Sequence, residues 1–172
     1  VYANDGKFPE PSDAAYPINA ISIRMHGRTH VFALRYDANS TYNNDREDIT
    51  VKLYDQEEIL LSEFMDFWRR SDIDIISGWN VSNFDITYIC RRIEDMFGDR
   101  ALNKLSPYGR VFSFTRKNSF DSKDLIYSIR GLSQRDYLAL YKKFTFANQE
   151  SYKLDYIANV ELGDRKTDVS DY

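Results

Sequence analysis

A short apolar run that stops at a glycine and resumes at a different spacing constrains this chain more than any other feature. Ile73, Ile75 and Ile76 form a β-branched run, the mark of a buried strand. It breaks at Gly78. From Ile86 the apolar residues Ile86, Ile89, Cys90, Ile93, Met96 and Phe97 recur at helical spacing, with Arg91, Arg92, Glu94 and Asp95 on the other face. Gly98 is the expected stop. The pattern is strand, sharp turn, helix, and the joint carries Trp79, Asn80, Phe84 and Asp85. Open α/β sheets place their ligands at such joints, at the carboxyl ends of strands. Asp85 falls in the first helical turn, where the macrodipole favours an ionised carboxylate. A carboxylate on rigid elements suits a hard cation such as magnesium. Spacing alone leaves a second reading open, in which Asp85 only caps the helix and the aromatics are core.

With 172 residues, 42% of them hydrophobic, the chain is long enough for one domain with a sizeable core. Its 13 tyrosines and 11 phenylalanines suit either a dense core or surfaces on which bases stack. A net charge of −4 argues against a mainly electrostatic nucleic-acid coat. It leaves room for a metal nuclease that grips one strand end in a local groove. Cys90 is the single cysteine, which excludes an internal disulfide, and its place on the apolar helix face predicts an inert core thiol. No apolar run approaches a membrane span and no signal peptide is visible, so a soluble intracellular protein is expected.

Residues 1–17, punctuated by Pro9, Pro11 and Pro17, read as an irregular loop. Ile21, Ile23 and Met25 alternate with polar residues, and alternation resumes from Thr29 to Tyr36 after a turn at Gly27, predicting a hairpin. A polar loop from Asp37 to Asp48 leads to a third strand at Ile49, Val51 and Leu53. His26 and His30, near the turn, read as solvated. Asp55–Arg70 reads as a helix capped by Asp55 with Glu58, its buried stripe formed by Leu60, Leu61, Phe64, Phe67 and Trp68. Leu102–Arg110 reads as an irregular connection. Val111–Phe114 and Leu125–Ile129 read as strands around a polar tip that holds Arg116, Lys117 and Lys123. Two further helices are expected. Asp136–Phe144 would pack Tyr137, Leu138, Tyr141 and Phe144. Leu154–Leu162, capped by Ser151 and ended by Gly163, would pack Leu154, Ile157 and Ala158.

GWNVSNFDITYICRRI resembles the second exonuclease motif of family B DNA polymerases, especially the replicative enzymes of T-even-type phages. The resemblance implies that Asp85 binds catalytic metal and that Asn80 and Phe84 contact the terminal nucleotide, with Phe8 as a further stacking residue. GKFPEPSDAAYPINAI resembles the segment that follows the family's first motif, an Asp-x-Glu that supplies two metal ligands from a central strand. That motif is absent from the sequence. Val1 is therefore expected to fall just after its glutamate; the alternative is a diverged enzyme with Tyr2 or Asp5 near those positions. SPYGRV and the hairpin after it resemble the segment that parts primer from template. On that reading Arg116, Lys117 and Lys123 contact DNA; on the other they line a solvated turn. LSQRDYLALYKKFTFANQESYKLDYIANVELG resembles the corresponding family stretch closely, which implies that Lys166 approaches the reaction centre. The third motif, Tyr-x-x-x-Asp, has no match.

The resemblance implies an α/β, ribonuclease H-like 3′→5′ exonuclease fold: a mixed sheet flanked by helices, its first central strand truncated. Residues 1–172 would be one exonuclease domain fragment of a DNA-directed DNA polymerase. In the intact parent a pair of magnesium ions about 4 Å apart, replaceable by manganese, would drive hydrolysis of a single-stranded or frayed DNA 3′ end. The implied partners are that DNA end, the remainder of the polymerase chain and, through it, a sliding clamp; no membrane is implied. The implied setting is cytoplasmic, in a bacterial host if the chain is phage-encoded. With one motif of three, the isolated chain is expected to be inactive. The alternative is a non-catalytic DNA-binding or structural fragment.

Overall fold

The computed structural model describes residues 1, 6, 8–37, 42, 46–117 and 123–164. Strands β1 (Ala20–Met25) and β2 (Arg28–Leu34) form an antiparallel hairpin, and β3 (Ile49–Tyr54) adds parallel to β2. The hairpin turns on His26 and Gly27, both left-handed (φ 48° and 76°), the geometry that matches the twist of the flanking strands. Alternation buries Ile21 and Phe32 under helix α1 (Glu57–Arg70), where Leu60, Leu61, Phe64 and Trp68 form the centre of the core. Phe32 meets Phe64 edge-on at 5.7 Å, and the Trp68 indole N–H donates to the Leu105 carbonyl at 2.9 Å.

α1 starts one residue later than its acidic signature predicts. Gln56 holds the cap position without a side-chain cap, because Asp55 is drawn 2.9 Å to Arg35 instead. Glu57 reaches the other way. It accepts from the Ile18 N–H at 2.8 Å and pairs with Arg92 in a largely enclosed ion pair. His26 is exposed as expected; His30 is not fully solvated but half-buried, its ring 4.7 Å from Phe67.

β4 (Ile75–Gly78) leads into α2 (Asp85–Phe97), which Gly98 ends at φ 76°. The expected irregular connection is partly helical: α3 (Asp99–Leu102) and a 3-10 turn (Asn103–Leu105) bury Leu102 and Leu105 against the core. The second hairpin, β5 (Val111–Lys117) with β6 (Lys123–Ile129), runs longer than its apolar pattern. Arg116, Lys117 and Lys123 therefore belong to its strands, while residues 118–122 lie outside the described residues. β7 (Ser133–Asp136) pairs parallel with β4. It escapes sequence reading because Ser-Gln-Arg-Asp carries no apolar alternation.

α4 (Tyr137–Phe144) buries none of its residues, against the expected packing: Tyr137 and Phe144 are exposed, while Tyr141 packs on Trp79 and Tyr152. In α5 (Leu154–Leu162) Ile157 is buried and Leu154 exposed. Ser151 is not its cap. Lys153 holds that position, and the Ser151 hydroxyl accepts from the Lys153 N–H at 3.3 Å.

The architecture is mixed α/β. Among the described residues it contains three small sheets, β1-β2-β3, β4-β7 and β5-β6, in place of the one expected sheet. Residues of β1 and β4 line one cleft of about 690 Å³, and neither strand has a second β partner among the described residues.

Candidate active site

The joint between β4 and α2 opens on that cleft, which Ile21, Ile76, Trp79, Phe84 and Asp85 help to line. Gly78 closes β4 where the chain folds back on itself. A Cβ there would stand 3.1 Å from the Val81 Cβ, so a side chain would push the turn open. Asn80 adopts φ 59°, a left-handed conformation that asparagine tolerates better than most residues. The turn then winds directly into helix: the Phe84 N–H donates to the Asn80 carbonyl at 3.0 Å and the Ile86 N–H to the Val81 carbonyl at 2.9 Å. The buried Thr87 hydroxyl lies 3.0 Å from the Ser82 carbonyl and 3.2 Å from that of Leu125, which ties joint to hairpin. On the far side the Trp79 indole N–H donates to the Tyr152 carbonyl at 3.1 Å.

Phe84 holds the cap position of α2, and no side chain caps the helix. Asp85 is the first helical residue, so the purely capping reading does not hold. Its residue surface is exposed at the cleft, yet protein atoms crowd one side of the carboxylate. That partial burial is the leading cause raising its pKa above the ordinary 3.8, and the charge of Asp136 adds to it; its own backbone N–H acts the other way. A cation at this point would relieve both causes, so Asp85 suits a metal ligand. Among the described residues no three His, Cys, Asp or Glu side chains cluster to hold a metal ion.

The other predicted residues divide into those the fold gathers and those it does not. Phe8, 79% exposed, brings its ring 5.5 Å from Phe84, which in turn lies 5.9 Å from Tyr88. An aromatic step therefore stands beside Asp85. Asn80 turns its side-chain carbonyl to Asn83 Nδ2 at 3.0 Å, and Arg116 donates to Asn83 Oδ1 at 2.9 Å. Lys117 and Lys123 face each other in register at the far end of the hairpin, both exposed. Lys166 lies outside the described residues. Sequence reasoning passed over Asn83 and treated Asp136 only as a helix start. No local signal marks the reach of Asp136 to amides 54 and 56 residues away.

Comparison with known proteins agrees with this geometry. The family model described as DNA polymerase family B, exonuclease domain, matches residues 1–157. The DNA-directed DNA polymerase of Escherichia phage RB69 is 38% identical over 187 aligned residues, covering 94% of this chain and 20% of that protein. That of Enterobacteria phage T4 is 35% identical, covering 90% of this chain and 20% of its own length. The DNA polymerase delta catalytic subunit of Mesocricetus auratus is 32% identical over 69% of this chain and 11% of its own. The chain thus spans about a fifth of the length of its phage relatives. It belongs to the exonuclease-domain family of the family B DNA polymerases.

Proposed function

We propose that this domain removes nucleotides from a DNA 3′ end as the proofreading part of a polymerase. The observation that carries the reading is the pairing of an exposed carboxylate, Asp85, with the Phe8–Phe84 aromatic step at a strand–helix joint. Stacking on such rings holds an unpaired base without regard to sequence. A single-stranded or frayed end is therefore the fitting substrate. The relatives' polymerase identity supports DNA and the rest of a polymerase chain as its partners.

The ribonuclease H-like arrangement belongs to the same proposal. A strand seated between β1 and β4 would join two of the three sheets, and the cleft supports that placement. Asp85 would hold a divalent ion together with carboxylates from outside the described residues. A magnesium pair, when bound, supplies an activated water and a stabilised leaving 3′-oxygen. The chain's own residues do the positioning. Phe84 and Phe8 stack the terminal base, and the Asn80–Asn83 pair shapes the wall beside it. Water adds across the last phosphodiester, releasing a deoxynucleoside monophosphate and leaving a new 3′-hydroxyl.

A DNA-binding role without catalysis is favoured by one observation, the lack of a three-carboxylate cluster among the described residues. Asp85→Ala in the intact protein separates the two. Proofreading predicts a fall of about 100-fold or more in Mg²⁺-dependent trimming of a labelled mismatched primer. The binding role predicts no shortening that depends on Asp85.

A further inference from the structure

We infer that Asp136 is a positioning residue for excision: its carboxylate clamps the β4–α2 turn and so fixes where Phe84 and Asp85 stand. The inference rests on the excision reading above. Asp136 ends β7, directly opposite Gly78 in the parallel pairing. Its Oδ1 accepts from the main-chain N–H of Asn80 at 3.0 Å and of Leu138 at 3.0 Å, and its Oδ2 accepts from the Ser82 N–H at 3.2 Å.

Two of those donors lie in the turn that carries the site. They meet the two oxygens of one carboxylate as amides gather around a bound anion, and here the anion is the protein's own side chain. Hydrogen bonds to an ionised acceptor are roughly twice as strong as neutral ones. They fall where the backbone needs them, since the left-handed Asn80 stores strain that surrounding contacts must hold. From Asn80 and Val81 the geometry passes through two carbonyls to the amides of Phe84 and Ile86, which flank Asp85. Asp136 also places a second negative charge near Asp85, an arrangement that like-charge repulsion disfavours. The clamp gives that placement a purpose.

The competing explanation is that Asp136 merely caps α4 through Leu138. Asp136→Ser distinguishes the two. Serine caps helices well, so the Leu138 bond is kept, but its shorter side chain cannot span to Asn80 and Ser82. In the intact protein we expect Asp136→Ser to lower the single-turnover excision rate at saturating single-stranded DNA by about 100-fold, the scale of a small misplacement of catalytic groups. The dissociation constant for that DNA should move no more than about twofold, and unfolding should remain a single cooperative transition, lowered only by the loss of two hydrogen bonds. Asp136→Asn, which retains the two bonds made by Oδ1, should recover part of the rate. Parental excision by the serine variant would reduce Asp136 to a cap and overturn the inference. Equal losses of rate, DNA binding and thermal stability would overturn it too, as a general folding defect. Asp85→Ala is run beside them. If Asp85→Ala trims at the parental rate, the excision reading itself fails. If it is dead while Asp136→Ser is normal, only the clamp fails.

Discussion

The Arg116 guanidinium donates to the Asn83 side-chain carbonyl at 2.9 Å, joining the β5–β6 hairpin to the turn beside Asp85 across 33 residues of sequence. Asn83 in turn donates to Asn80, so the hairpin reaches the wall of the site through two side chains.

Breaking this link should affect substrates that must be opened more than those already open. We expect Asn83→Ala and Arg116→Ala each to slow excision from duplex ends several-fold while trimming of single strands stays within about twofold, because unpairing a terminal base costs a few kcal/mol that a held hairpin offsets. Parallel time courses on the two substrates check this. Equal slowing on both would place the residues in general DNA binding.

Burial and Asp136 raise the Asp85 pKa above 3.8, so the folded chain resists ionising this group more than the unfolded chain does. At neutral pH the ionised carboxylate therefore lowers stability. The cost disappears as pH falls below 3.8, where both states are protonated. In a chelator, Asp85→Asn should melt above the parent at pH 7, with the gap closing toward acid pH. Added magnesium should narrow the gap at pH 7 by stabilising only the parent. Thermal unfolding across pH measures both.

The Tyr88 hydroxyl donates to the Tyr16 carbonyl at 2.7 Å and accepts from the Tyr16 N–H at 3.0 Å. It pins the proline-rich start of the chain, and with it Phe8, to α2. Tyr88→Phe should cost about 1–2 kcal/mol in denaturant unfolding, since both backbone groups lose a partner.

Gly131 sits at φ 96° with Pro107 Cγ 2.5 Å and the Tyr108 ring 2.9 Å from where a Cβ would be. Gly27 is also left-handed, at φ 76°, but has nothing within 4 Å of that point. Gly131→Ala should therefore lose about 1–3 kcal/mol more than Gly27→Ala, the difference being overpacking rather than backbone preference. Denaturant midpoints of the two variants give the comparison.

Much of this arrangement was legible in the sequence because it is written at short range. The break at Gly78, the helical spacing from Ile86 and the stripe on α1 are local patterns that the structure keeps, but β4 is not the buried strand its isoleucines suggest: Ile75 is 63% exposed. β7 was not legible, since its four residues earn their place by pairing with β4 rather than by burying apolar side chains. The exposed apolar residues of α4 misled for the opposite reason: Tyr137 and Phe144 have the composition of a core face without anything described to cover it. The place of Asp85 at the head of α2 was legible through its setting in GWNVSNFD, while the bonds of Asp136 were hidden because they come from amides more than fifty residues away.

The parallel pairing of β4 with β7 bears on the order in which the domain assembles. Ser77 and Arg135, paired there, are 58 residues apart, and the whole β5–β6 hairpin lies between them. Both hairpins close over a few residues and can form early, whereas a long-range parallel contact must wait until its intervening loop is gathered. The turn that carries Asp85 depends on that late contact. Folding should therefore pass through a stage with hairpins in place and no site, and local opening of β4 from β7 would silence excision while most of the core stays folded.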